Sequence, residues 1–177
     1  MNNIKRLLPL LILLQILTPG LSFADHHGSD EEKYQFTIRN LKQLPDNLIT
    51  GGQPNKADLK ALSEQGIKTV INFRGKGEFQ QFDEARVVAD NGMTYLHLPI
   101  DSRDALNKKN VAKFREALDD NSGGTFLHCG SGNRVGALFA LDAYWNQNKS
   151  AAEALAIGEA AGLTSLKGHV QSLLEVK

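Results

Sequence analysis

The sequence predicts an α/β domain: a central, mainly parallel sheet flanked on both faces by helices. Three features of the 177-residue chain lead there. Apolar, β-branched runs at 67–73, 93–98 and 125–127 read as buried strands. Helical patterns separate them, and parallel strands need such crossovers. No internal repeat or linker divides the body.

Taken in order, residues 1–24 read as an export signal. Lys5 and Arg6 are basic, Leu7 to Leu17 is apolar apart from Pro9 and Gln15, and Ser22-Phe23-Ala24 suits a signal peptidase. The apolar stretch is shorter than the ~20 residues that span a bilayer, so cleavage after Ala24 leaves no membrane insertion. The single cysteine, Cys129, lies far from the cut and excludes a lipoprotein signal. The expected location is a bacterial periplasm or the secreted space. Residues 25–33 are polar and expected to be flexible. His27, third after the cut, has the spacing of an amine–amide–imidazole copper or nickel site, although a solvated tail is the simpler expectation.

Residues 34–177 are expected to form one domain. Tyr34, Phe36 and Ile38 alternate with polar neighbours as a short edge strand does. Leu48 to Gly51 reads as another strand, turned by Gly52-Gln53-Pro54. Asn55 caps a helix to Gln65, with Leu59 and Leu62 inward and Gly66 as its stop. After Ile67–Phe73 and the loop Arg74-Gly75-Lys76-Gly77, a helix is expected over 78–91, with Phe79, Phe82 and Val88 on one side. Pro99 closes the strand Met93–Leu98, and Asn107 to Asp120 is helical. After Thr125–Leu127 come helices at 134–147, 150–161 and 166–176.

Cleavage would remove Lys5 and Arg6 and no acid from a chain with 20 bases and 20 acids, leaving a formal charge of −2. That balance excludes nucleic acid and an anionic membrane as expected partners and leaves oligomeric state open. One cysteine makes no intramolecular disulfide, and an unpaired thiol in an oxidising compartment is a liability unless its reactivity is used. His97 and His169 have no metal-cluster spacing, so no metal and no cofactor are expected.

Candidate chemistry centres on His128-Cys129-Gly130-Ser131-Gly132-Asn133-Arg134. A strand, a glycine-punctuated turn and a helix start aim backbone N–H groups of Gly130, Ser131, Gly132 and Asn133 into one concavity that favours anions. A thiol there is expected to ionise more readily than a free cysteine. Arg134 is a forked, permanent cation able to reach back over the loop. Cys129 is therefore the expected nucleophile, with a small anionic substrate. Its competing reading is a small buried residue that ends a strand. Ligands of such sheets sit at the carboxyl ends of strands, where Arg74, Asp101 and Cys129 all fall. Asp101 and Asp104 are both candidate proton donors, with Asp101 favoured beside the strand end. His128 is read as a support beneath the loop, and Arg74 either as a rim residue or as an ion-pair partner of Glu78.

From Asn47 to about Val170 the chain resembles the phosphatase-like domain associated with beta-lactamase-hydrolase-like proteins, a relative of dual-specificity and tyrosine phosphatases. The resemblance rests on Gly52-Gln53-Pro54, on Thr69 to Arg74 followed by Glu78, on Leu98-Pro99-Ile100-Asp101, and on His128 to Arg134. It implies a three-layer cysteine-phosphatase-like fold in which Cys129 attacks, Arg134 binds oxyanions and an aspartate near Asp101 protonates the leaving group of a phosphorylated substrate.

Four residues separate Cys129 from Arg134, where tyrosine and dual-specificity phosphatases have five. Removing one residue removes one amide donor and about 3.3–3.6 Å of contour. A smaller cradle suits a single sulfur carried on the cysteine, so a rhodanese-like sulfurtransferase is the alternative expectation. An anion-binding module without turnover is the third.

Overall fold

The computed structural model describes residues 35–79, 81–120 and 123–175. The export signal, the tail with His27 and the cleavage point lie outside them. In the described residues no helix is long and apolar enough to cross a membrane.

Five strands, β1 (Lys42–Leu44), β2 (Leu48–Gly51), β3 (Thr69–Asn72), β4 (Thr94–His97) and β5 (Thr125–His128), form one sheet in the order β1-β2-β5-β3-β4. All neighbours are parallel except the edge pair β1–β2. The helices are α1 (Lys56–Glu64), α2 (Glu84–Asp90), α3 (Lys108–Asp119), α4 (Asn133–Asn146), α5 (Ala151–Ala160) and α6 (Lys167–Glu175). The mainly parallel, helix-flanked sheet is the architecture that the strand–crossover pattern predicts.

The period-2 pleat divides the core. Val70 and Phe126 join Ile49, Leu59, Leu62 and Val88 on the α1–α2 face. Ile71, Leu127 and Cys129 join Phe114, Leu138, Leu141 and Val170 on the opposite face. Two consecutive residues at the end of β5 therefore face opposite layers: His128 stacks on Phe126, ring centroids 5.3 Å apart, and Cys129 lies on the α4 side.

Register brings the site together. Gly51 and Asn72 both pair with His128, and Asn72 also pairs with His97, so four strands end in one row. The loops leaving that row carry Gly52, Cys129, Arg74 and Asp101.

Local chemistry sets the helix ends. Asn55 and Asp58 form a reciprocal capping box on α1, and Ser150 and Glu153 form another on α5, each side-chain cap worth about 1 kcal/mol. Gly66 and Gly92 adopt φ of 89° and 73° just beyond α1 and α2, as expected for stops.

Two elements differ from expectation. Residues 35–38 are not a strand; the edge strand is β1, a few residues later. Thr37 donates its N–H and hydroxyl to the Asp58 carboxylate at 2.9 and 2.8 Å, so this segment's polar groups serve the start of α1 rather than a ladder. The second helix begins at Glu84, not Glu78. Asp83 caps it by accepting the Arg86 N–H, while Phe79 and Phe82 meet edge to face in the preceding loop, 4.9 Å apart.

Candidate active site

The loop after β5 is held from several sides. The Cys129 N–H donates to Gly51 O at 3.3 Å, Gly52 and Ser131 form an isolated antiparallel bridge, and Asn40 Nδ2 donates to Ser131 O and Gly162 O at 3.1 and 2.9 Å. A Cβ on Gly52 would lie 3.0–3.2 Å from Gly130 O, Arg39 O and Ser131 Cα, so this approach suits glycine. Gly132 turns the chain with φ 80° and caps α4 without a side chain. The first amides of α4 consequently keep no side-chain partner and present positive potential to the loop.

Asn133, expected to offer its backbone N–H to the loop, uses its side chain elsewhere. Its Oδ1 accepts the N–H groups of Thr164 and Leu166 at 2.8 and 3.3 Å, and Nδ2 donates to Ser165 Oγ at 2.7 Å. That side chain ties the α5–α6 connection to the loop; only its backbone remains for a substrate.

The sequence places the thiol at the mouth of the cradle, whereas the structure buries it in the core on the α4 side of the sheet. Cys129 is 1% exposed and packs in the core with Ile71, Phe73 and Leu127. The guanidinium of Arg134 still reaches it: the Cys129 side chain is among the groups that raise the Arg134 pKa, after the leading effect of Glu78. Arg134 Nη1 donates to Ile100 O at 2.7 Å and Glu78 Oε1 at 2.8 Å, and Nη2 donates to Glu78 Oε2 at 2.6 Å. These bonds use Nη1 and one side of Nη2, and the Cys129 side chain is a further hydrogen-bond partner of the same guanidinium.

Glu78 is thus the partner that aims Arg134, a task not legible in its spacing. Its carboxyl is held down at about 2, chiefly by hydrogen bonding from Arg134. A depressed carboxylate contributes stability that is present above its ordinary value of 4.5 and is lost as pH falls toward 2. Thermal unfolding across that window is expected to lose stability more steeply in the wild type than in Glu78→Gln. The difference should be small and salt-sensitive, because the pair is partly exposed. Equal slopes would show that the pair contributes nothing.

Arg74 takes the ion-pair role. Its Nε lies 3.6 Å from Glu78 Oε2, Nη2 donates to Glu78 O, Nη1 donates to Gln53 Oε1 at 3.1 Å, and the guanidinium lies over the Phe79 ring. His97 Nε2 lies 2.7 Å from Arg74 O and helps hold this segment.

Below the loop, on the α2 side, His128 is fully buried. Burial pushes its pKa down to about 3, so the ring is neutral at pH 7. Neither ring nitrogen has a well-aligned hydrogen bond, but Nε2 lies 3.3 Å from Glu84 Oε1. Glu84 is itself buried and accepts from Gln53 Nε2 at 2.7 Å, Asn72 Nδ2 at 2.7 Å and Tyr95 OH at 3.2 Å. Sequence reasoning misses this carboxylate, since in the middle of a helix expected over 78–91 a glutamate reads as an ordinary solvated side chain.

A cavity of about 280 Å³ opens above the loop. Its walls include Glu78, Asp101, Arg103, Ser131 and Arg134, with apolar sides from Ile100, Leu106 and Leu166. Asp101 lies on this wall; Asp104 does not, and neither does Cys129. A Cβ on Gly75 would come 2.8 Å from Asp101 Cβ, so the Arg74–Gly77 turn abuts the aspartate loop.

Comparison with known proteins gives one family match. The family of DSP-PTPase phosphatases fused to NAD+ kinase matches residues 30–172. A beta-lactamase hydrolase-like protein of Agrobacterium fabrum is 30% identical over 103 residues, 56% of this chain. The match covers 24% of that relative, so the chain spans about a quarter of its length. Among solved structures, a DUF442 phosphatase from Shewanella putrefaciens CN-32 superposes with TM-score 0.61 at 22% identity, covering 78% of this chain and 90% of that one. P. aeruginosa TpbA, solved as a cysteine-to-serine variant with pTyr, gives TM-score 0.60 at 20% identity, covering 77% and 83%. These likenesses establish a cysteine-phosphatase fold.

Proposed function

The chain belongs to the family of DSP-PTPase phosphatases fused to NAD+ kinase, and from that premise we propose that it is an exported, cysteine-dependent hydrolase of phosphate monoesters. One observation carries the reading. A lone cysteine follows the central strand β5 at the start of α4, which no side chain caps, and its side chain is a hydrogen-bond partner of the Arg134 guanidinium.

In the proposed reaction, Arg134 and the loop amides bind the phosphoryl oxygens. Cys129 Sγ attacks phosphorus as the ester P–O bond breaks, and Asp101 gives its proton to the leaving oxygen. A water then attacks the phosphocysteine, Asp101 takes its proton, the P–S bond breaks and inorganic phosphate leaves with the thiolate restored. Apolar walls beside Asp101 suit an aryl ester, of the kind that TpbA holds in its complex with pTyr.

Two observations favour a second reading, rhodanese-like sulfur transfer: the four-residue loop and a sulfur that is 1% exposed, which suits a small transferred group. There the Cys129 thiolate cleaves the S–S bond of thiosulfate, sulfite leaves, and the outer sulfur of the persulfide passes to cyanide as thiocyanate.

Asp101→Ala separates the two. Hydrolysis of phenyl phosphate, a poor leaving group, should fall about 10²–10⁴-fold, the usual worth of general acid–base catalysis. Thiocyanate formation should stay within twofold. Wild-type turnover of thiosulfate and not of p-nitrophenyl phosphate would replace the first reading by the second.

A further inference from the structure

We propose that Glu84 is a positioning residue that selects which nitrogen of His128 carries the proton, and thereby whether the Cys129 carbonyl is held. This deepens the proposed function and rests on the Cys129 loop being the reacting site.

Three donors and one imidazole edge meet the Glu84 carboxylate. Gln53 Nε2 and His128 Nε2 lie on Oε1, at 2.7 and 3.3 Å; Asn72 Nδ2 and Tyr95 OH lie on Oε2, at 2.7 and 3.2 Å. Only a carboxylate accepts on both sides, because an amide in its place would turn its NH₂ toward one pair of donors. The other edge of the imidazole faces the Cys129 backbone, through a contact that favours the protonated ring. The backbone group there that can accept a ring proton is the Cys129 carbonyl, and in this structure neither ring nitrogen makes an aligned hydrogen bond.

A neutral buried imidazole has one proton and here two acceptors. With Glu84 ionised, the proton stays on Nε2 and points at Oε1, leaving the Cys129 carbonyl without it. With Glu84 protonated, its O–H donates to Nε2 and the ring proton sits on Nδ1, held by the carbonyl. Interconversion balances: a solvent proton forms the Nδ1–H bond, the Nε2–H bond breaks, and that proton forms the O–H bond of Glu84. Burial raises the Glu84 pKa above the ordinary carboxylate value, against the pull of Gln53, Tyr95 and Asn72. The switch therefore lies above the usual carboxylate range and well above the pH at which His128 itself charges.

The same carboxylate reaches Arg134 by a second route. Gln53 donates to Glu84 and accepts from Arg74, Arg74 pairs with Glu78, and Glu78 holds Arg134. Other titratable or charged neighbours are Arg74 after β3, Tyr95 and His97 on β4, and Asp83 beside Glu84. Arg74 is a permanent cation, and burial pushes Tyr95 up to about 12.

Imidazole ¹⁵N–¹H correlation spectra of the ¹⁵N-labelled full chain read the tautomer directly and need no turnover. In the wild type, the His128 proton is expected on Nε2 at neutral pH and should move to Nδ1 as pH falls through the Glu84 range. Glu84→Gln should abolish that movement, and Asp83→Asn and His97→Asn should preserve it. A fixed tautomer in the wild type, a ring that becomes doubly protonated there, or the same movement in Glu84→Gln overturns the proposal. The kcat–pH profile on p-nitrophenyl phosphate should carry an inflection in that range that Glu84→Gln loses, with KM within twofold. Should the wild type turn over no phosphate ester, the phosphatase reading fails while the spectra still decide the tautomer.

Discussion

Cys129→Ser is expected to reduce turnover of p-nitrophenyl phosphate by at least about 10⁴-fold, the scale on which loss of a covalent nucleophile acts. Sulfur transfer from thiosulfate should vanish with it, because both reactions form their intermediate on the same sulfur. The fold should survive. Cys129 is 1% exposed among Ile71, Phe73, Leu127 and Val135, and the serine hydroxyl nearly matches the thiol in shape. Burying that hydroxyl without a partner costs about 1–3 kcal/mol. In a domain of this size each kcal/mol shifts Tm by about 2–4 °C. The informative pair of measurements is therefore steady-state turnover and thermal unfolding on the same preparation. Retained turnover in Cys129→Ser would remove the nucleophile from the mechanism, whereas loss of turnover with loss of fold would carry no weight.

The largest expected stability effect belongs to Gly136→Ala. Alanine in a helix interior ordinarily gains about 0.5–1 kcal/mol over glycine. Here a Cβ would lie 2.0 Å from Leu163 N and 2.6 Å from Gly158 O. These are backbone atoms, so no side chain can rotate away and α4 must shift from α5 and the turn after it. A net loss of about 3 kcal/mol or more is expected, the upper range of overpacking costs. Denaturant unfolding measures it through the midpoint at unchanged m-value. The displacement would also pull on Asn133, which holds Thr164, Ser165 and Leu166 from the first turn of α4. Activity should fall with stability, and stability equal to wild type would refute the close packing.

Elements with a local cause were legible from the chain. Asn55 caps the helix assigned to it, Asn107 and Ser150, read as first helical residues, prove to be the caps, and Gly66 and Gly92 stop their helices. Each interaction spans three or four residues, so spacing alone reports it. Strands β3, β4 and β5 were visible as apolar runs; β3 and β4 end one or two residues sooner in the ladder, and β5 runs one residue further, to His128. What failed was competition between local pattern and distant partners. Tyr34 to Ile38 alternates like a strand, but Thr37 is taken by Asp58, 21 residues away. Glu78 begins a helical pattern, but its carboxylate is taken by Arg134, 56 residues away.

The chain alone determined the layered α/β plan and the juxtaposition of a cysteine, a glycine turn and an arginine, because strand period, capping and turn chemistry act within a few residues. Tertiary structure alone decided which distant acids meet the loop and how far the sulfur lies from solvent. Asp101, favoured from its place beside the strand end, lies on the cavity wall, whereas Glu78 on the arginine and Glu84 beneath the loop follow only from sheet register and helix packing. Strands equal in sequence pattern differ in their neighbours, and only the order β1-β2-β5-β3-β4 brings these separate loops to one edge.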